Sequence, residues 1–305
     1  MNHDPAGKKD GPLRILVAPL DWGLGHATRC IPVIYELLGQ NIDVWLAGRE
    51  ETQEILLKKE LLDLPFLYLR GYRVKYGRSG PGLISTIFRQ VPRIHRAIRQ
   101  ENDWLKKVVK KYRFDGVISD NRYGLNHPGI PTVFITHQLS IKSPFGKWSE
   151  RILQKRNYRF INRFTECWIP DEETQDGLAG QLSHPTTMPS VPVRYIGILS
   201  RLKKGNSEEK KDHLFISLSG PEPQRTFLEN KIIHDIGHYH GTAAIVRGLP
   251  GETTMIPSTN HLRFYNHLPT GEMNEEIQRA EYVISRSGYS AVMDIATLGK
   301  RSILI

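Results

Sequence analysis

The first residues able to do chemistry stand in DWGLGHATR, Asp21 to Arg29, directly after the first apolar run. Gly23 and Gly25 permit a tight turn and a close approach of backbone to a ligand. The helix that follows points its free N–H groups at the same spot. His26 ends the loop, where an imidazole can take a hydroxyl proton near neutral pH or orient an acceptor. The plainer alternative is a helix-start histidine bonded to backbone. A Walker loop is excluded because no Gly-Lys-Ser/Thr follows, and the dinucleotide fingerprint would need glycine where Thr28 sits.

SRSGYSAVMD, Ser285 to Asp294, also follows a strand-like run and opens a helix. Ser287, Gly288 and Ser290 are small or hydroxylic where backbone N–H groups could cradle a diphosphate, and Arg286 adds charge. Asp294 lies about two turns further on, spaced to accept hydrogen bonds from a ribose diol. A well-capped core helix is the competing explanation. In a third junction, SLSGPEPQR, Ser219 and Gly220 could meet phosphate or sugar, while Pro221 and Pro223 shape the helix entry. Asp120, closing GVISD, is a second base candidate, and equally a cap for the turn at Asn121 and Arg122. Asp-x-Asp does not occur, so a divalent metal bridging a diphosphate is not expected. Cys30 and Cys167 provide neither a disulfide framework nor a metal cluster.

These loops must be carried by strands and helices. RILVAPL (14–20), IDVWLAG (42–48), FLYL (66–69), GVISD (116–120), TVFIT (132–136) and ECWIP (166–170) have strand length and apolar character. Helical patterns run over 27–38, over 50–60 and between several later strands. The polar, aperiodic end of 195–212 has the composition of an exposed linker. Alternation then resumes with HLFISLS (213–219), TAAIVRG (242–248), LRFYNHL (262–268), YVISR (282–286) and RSILI (301–305), with helices predicted over 224–236, 270–281 and 290–298. Strand–helix alternation means parallel sheets covered on both faces. The predicted class is α/β, with two doubly wound, Rossmann-like domains and ligand between them at the carboxyl ends of strands. The boundaries read as a tail over 1–12, domains over 13–199 and 213–305, and a linker over 200–212. The chain stops on an apolar strand, so the second domain is expected to be truncated.

Composition narrows the class further. Hydrophobic residues at 39% and charged residues at 24% are ordinary for a globular protein. No apolar run spans a bilayer and the polar start is no signal peptide, so a cytoplasmic location is expected. Of the net charge of +10, residues 1–200 carry 29 Lys+Arg against 20 Asp+Glu, and residues 201–305 carry 13 against 12. The basic surface therefore belongs to the first domain. Its densest part, Arg70 to Arg113, holds 13 Lys/Arg and two acids, with Ile84, Ile87, Phe88, Val91, Ile94 and Ile98 at helical spacing and a possible kink at Pro92. Arg89, Arg93, Arg96 and Arg99 on other sides could contact an anionic membrane surface; the alternative is a core helix with a solvated face. Nucleic acid is not expected as a partner, because no aromatic stacking platform or recognition module accompanies the charge.

Together the GLGHATR loop, the SGPEPQR turn and the SRSGYSAVMD segment resemble the GT-B-fold glycosyltransferases of family 28. That family includes the peptidoglycan N-acetylglucosaminyltransferase and the plant galactolipid synthases. The resemblance implies that Gly23, Gly25 and His26 lie on the acceptor side of an interdomain cleft. It implies that Arg286, Ser287 and Gly288 hold the donor diphosphate, that Asp294 replaces a glutamate at the ribose, and that His267 and Leu268 lie near the base. Of a His-Glu-Gln-Asn run in the peptidoglycan enzyme only His137 remains, followed by Gln138, Leu139 and Ser140. The chain also ends before the family's glutamine-bearing loop. The implied activity is metal-independent transfer of a hexosyl group, N-acetylglucosamine or another hexose, from a UDP-sugar to a hydroxyl of a lipid-linked or hydrophobic acceptor. No cofactor is expected beyond the donor substrate, and the site of action is expected at the inner face of the membrane. The alternatives are a nucleotide-sugar epimerase of the same fold and a non-catalytic nucleotide-sugar-binding fragment.

Overall fold

The computed structural model describes residues 11–49, 57–61, 64–72, 81–174, 176–220 and 222–305, with side chains in the helix over 81–112 described from residue 92 onward. In the first half, β1 (Arg14–Pro19), β2 (Asp43–Gly48), β3 (Phe66–Tyr68), β4 (Gly116–Asp120), β5 (Thr132–Ile135), β6 (Glu166–Ile169) and β7 (Val193–Tyr195) form one sheet in the order β3-β2-β1-β4-β5-β6-β7. Helices α1 (Leu24–Gly39), α2 (Pro81–Tyr112) and α3 (Lys147–Ile161) connect them. The second half holds β8 (His213–Ser217), α4 (Gln224–Ile236), β9 (Thr242–Val246), β10 (Leu262–Tyr265), α5 (Thr270–Arg279), β11 (Tyr282–Ser285), α6 (Tyr289–Leu298) and β12 (Ser302–Leu304), with sheet order β10-β9-β8-β11-β12. Every strand pair is parallel. This is the two-sheet α/β architecture the strand–helix alternation predicts.

The packing explains the pattern. Central strands of a parallel sheet are covered on both faces and so read as continuous apolar runs. Leu16, Val17 and Ala18 in β1 are fully buried, Val17 against α1 and Leu16 and Ala18 against α2. In the second half, Phe215 and Ala244 pack with Ile277 and Leu298 on one face, while Ile216 and Ile245 pack with Ile236 on the other.

The chain order reverses between β1 and β4 in the first sheet and between β8 and β11 in the second. In open α/β sheets such switch points leave a crevice at the carboxyl ends of the strands. The DWGLGHATR loop and Asp120 sit at the first, since Pro19 and Asp120 are register partners at the ends of β1 and β4. The turns at Ser219 and Arg286 sit at the second, after the paired ends Ser217 and Ser285.

Three features differ from the sequence expectation. β7, three residues long, falls in a stretch with no strand signal. Helix α2 runs unbroken through Pro92. The stretch after β7 is not uniformly exposed: Leu202 is 2% exposed in the second core and Leu199 packs against the first, whereas residues 203–211 are in solvent. Most of the expected helix over 50–60, and the side chains of Ile84, Ile87, Phe88, Arg89 and Val91, lie outside the described residues.

Candidate active site between the two sheets

The site begins with two helix amino ends. Gly23 caps α1 with φ 79°, a conformation glycine adopts without strain, and no side chain caps the helix. Gly288 caps α6, again without a side-chain bond. Each end therefore presents backbone N–H groups and partial positive charge that no cap side chain covers. They meet across the two halves: Ser290 Oγ donates to Gly25 O at 2.8 Å, and a Cβ on residue 25 would fall 2.9 Å from Ser290 Oγ. Any side chain at residue 25 would therefore have to displace that hydroxyl and its bond.

A cavity of about 260 Å³ opens beside this contact. Gly23, Gly25, His26 and His137 line it from the first half, and Ser219, Gly220, His267, Leu268, Gly288 and Asp294 from the second. These sequence candidates, up to 271 positions apart, come together. Leu268 is 2% exposed with its side chain in the core, so main chain is what it can offer a ligand. His267 Nε2 is buried without a hydrogen-bond partner. Burial foremost, then the Arg201 cation, pushes its pKa down to about 4. Asp294 accepts from Ser200 Oγ at 2.5 Å, and burial raises its carboxyl to about 6 against the opposing effects of that bond and of Arg201. Arg286 reaches over the neighbouring turn, where a Cβ at Gly220 would lie 3.0 Å from its Nη1. Ser287 is exposed, with its N–H on Ile305 O at 3.1 Å.

His26 Nδ1 lies 2.8 Å from Asp120 Oδ2. Asp120 is 0% exposed and engaged by Arg29 through Nε at 3.0 Å and through Nη2. Burial works against its ionisation, but Arg29 and His26 outweigh this and hold the carboxyl at about 2. Its oxygens turn inward to Arg29 and His26, so it does not cap the turn at Asn121. Burial lowers the His26 pKa, Asp120 opposes, and Arg29 lowers it further. His137 contacts Arg29 Nη1 through Nδ1 at 3.2 Å and stacks on Tyr289, with ring centroids 4.1 Å apart and planes 13° from parallel. Tyr289 in turn donates to Pro170 O at 2.8 Å.

Sequence reasoning missed Arg29, Tyr289 and the Glu60–Arg201–Thr270 link. Arg29 had a usable signal: three residues after His26, it shares that helix face. Tyr289 had none, because its partner is 152 positions away. Arg201 Nη1 donates to Glu60 Oε1 at 2.5 Å and to Thr270 Oγ1 at 3.0 Å, and Thr270 Oγ1 donates to Glu60 Oε2 at 2.5 Å, tying the halves beside the cavity.

Arg93, Arg96 and Arg99 are exposed on α2, while Ile98 and Leu105 on the same helix are buried. Among the described residues no helix is long and apolar enough to cross a membrane, and no group of three or more His, Cys, Asp or Glu is arranged to hold a metal ion.

Residues 221–305 match the family described as the glycosyltransferase family 28 C-terminal domain. No curated protein matched the sequence. Among solved structures the chain is similar to the glycosyltransferase SsfS6 of Streptomyces sp. SF2575, with 14% identity over 96% of this chain and 82% of that chain and a TM-score of 0.56. It is also similar to the spinosyn rhamnosyltransferase SpnG complexed with thymidine diphosphate (14% identity, 96% and 80% covered, TM-score 0.59). A UDP-glucosyltransferase from Polygonum tinctorium gives 11% identity, 97% and 80% covered, and a TM-score of 0.58. At such identities the likeness shows a shared fold, that of the GT-B glycosyltransferases.

Proposed function

We propose that this chain, a glycosyltransferase with a family 28 C-terminal domain, moves a hexosyl group from a UDP-sugar to a hydroxyl of a lipid-linked or hydrophobic acceptor, without a metal, and with His26 as general base. The observation that carries the reading is the His26–Asp120 contact at the amino end of α1, facing the amino end of α6 across one cavity. Asp120 holds the His26 ring through Nδ1, which leaves Nε2 for a hydroxyl proton. Its burial favours this positioning role over that of a second base. Negative charge developing on the departing diphosphate meets the N–H groups of α6, the Ser219–Gly220 turn, Ser287, Gly288 and the Arg286 guanidinium. Asp294 takes the ribose diol, and His267 with the main chain of Leu268 takes the base. Thymidine diphosphate bound to the similar SpnG supports a pyrimidine diphosphate donor in this fold.

The acceptor approaches the Gly23–Gly25 loop and His137 from the first half, which carries the basic surface. Arg93, Arg96 and Arg99 then face anionic lipid, each basic residue contributing about 1 kcal/mol near the surface. An epimerase of this fold works with carboxylates in the cleft; among the described residues lining the cavity, Asp294 is the one acid. Turnover of donor that depends on added acceptor separates the two. The direct test is His26→Ala, which lowers turnover by roughly 10²–10⁴-fold while UDP affinity stays nearly intact. Lost donor affinity with turnover retained at saturation would make His26 a binding residue instead.

A further inference from the structure

Of the three histidines that line the cavity, His26 and His137 have one side chain between them. Arg29 is 2% exposed and commits all three guanidinium nitrogens to the site. Nε and Nη2 grip the two oxygens of Asp120 side-on, and Nη1 reaches His137 Nδ1 at 3.2 Å. We infer that Arg29 is a positioning residue that, directly at His137 and through Asp120 at His26, sets these two histidines in opposite tautomers, so that His26 presents a bare Nε2 to the cavity and His137 presents an Nε2–H.

The assignment follows from what each group can donate. A guanidinium has donors and no acceptor, so His137 Nδ1 must supply the lone pair in their contact. A neutral imidazole accepting at Nδ1 carries its proton on Nε2. His137 stays neutral: burial first, then the Arg29 cation, pushes its pKa down to about 3. At His26 the partner is a carboxylate, which only accepts, so the proton is on Nδ1 and the lone pair on Nε2. Arg29 Nη2 also lies 3.0 Å from His26 Nδ1, but Nδ1 has one bond to make, and once it donates to Asp120 it has no lone pair left for an Nη2–H. The charge-assisted bond to Asp120 at 2.8 Å is the stronger.

The charged and titratable groups facing His26 are Asp120 at the end of β4, Arg29 on α1, Arg122 just after β4, and His137 after β5. Asp120 favours an imidazolium, and Arg29 and Arg122 oppose it. Arg29 therefore neutralises the carboxylate that orients His26 and keeps that orientation from becoming protonation. One imidazole that accepts and one that donates suit an uncharged hydroxyl: its proton goes to His26 while an oxygen lone pair receives His137. This consequence rests on His26 being the base; the tautomers do not.

The test is long-range ¹⁵N–¹H NMR of the histidine rings in the native protein at pH 7.5, assigned with His26→Gln and His137→Gln. The expected spectrum has His26 protonated on Nδ1 and His137 on Nε2. In Arg29→Gln the titrations of both move up, His26 by about 1–3 pH units, because Asp120 loses its counter-charge. Arg29→Lys keeps a cation beside Asp120 and restores most of the low titration. A native spectrum with His137 protonated on Nδ1, or His26 on Nε2, overturns the inference. So does a folded Arg29→Gln protein, checked by circular dichroism, whose histidines titrate as in the native one. The native spectrum decides even where the variant does not fold. Full turnover in His26→Ala with these tautomers in place would sink the general base and leave this inference standing.

Discussion

Asp294→Asn should make the unliganded protein more stable at neutral pH. Asp294 sits on α6 with Oδ1 on Ser200 Oγ, and burial lifts its carboxyl from 3.8 to about 6. The folded chain thus binds a proton more tightly than the unfolded chain between those values. Stability is lost as pH rises through that window, and above it the ionised carboxylate is a standing cost. A difference of about 2 pH units at 1.36 kcal/mol each sets an upper value of about 3 kcal/mol. Asp294 borders an open cavity, where solvent screens the charge, so about 1–3 kcal/mol is expected. Asparagine keeps an oxygen for Ser200 and removes the charge. Urea unfolding from pH 4 to 7.5 should show the variant more stable at pH 7.5 and the two curves converging near pH 4. Curves that stay parallel across that range, or a variant less stable at pH 7.5, would refute the reasoning. A destabilising carboxylate retained in a cleft is what a binding role for Asp294 requires.

Glu60→Ala removes the carboxylate that Arg201 and Thr270 share and leaves a buried cation unpaired. It should cost about 3–5 kcal/mol in urea unfolding, with Glu60→Gln recovering part, and small-angle scattering should show the two halves separating. Replacing Arg93, Arg96 and Arg99 together by glutamine should reduce sedimentation with anionic vesicles at low salt and leave circular dichroism unchanged. Equal sedimentation with neutral and anionic vesicles would make α2 a solvated face and the acceptor soluble.

The strands were legible because parallel sheets bury both faces, so β1, β4, β8 and β9 stand out as apolar runs. β7 was not, since Val193–Tyr195 is a half-exposed edge strand of three residues with an arginine in its middle. The cavity lining was legible where a single loop supplies several of its residues, as with Gly23, Gly25 and His26. What joins those loops was hidden. That Arg29 shares the His26 face of its helix can be read from the spacing, but its partner Asp120, 91 positions away, cannot. At Asp120 the sequence shows a carboxylate at a strand end but not that its oxygens turn inward to Arg29 and His26. The cross-domain contacts of Tyr289 and Ser290 depend on how the two sheets face each other, which no local pattern encodes.

A nucleotide diphosphate held between the two halves by protein groups alone is the central claim, and calorimetric titration of UDP in EDTA tests it most directly. The native protein should bind without divalent metal. Asp294→Ala should lose about 1.5–3 kcal/mol of binding free energy, the value of a charge-assisted hydrogen bond. Binding that appears only after Mg²⁺ is added, or an unchanged affinity in Asp294→Ala, would contradict it.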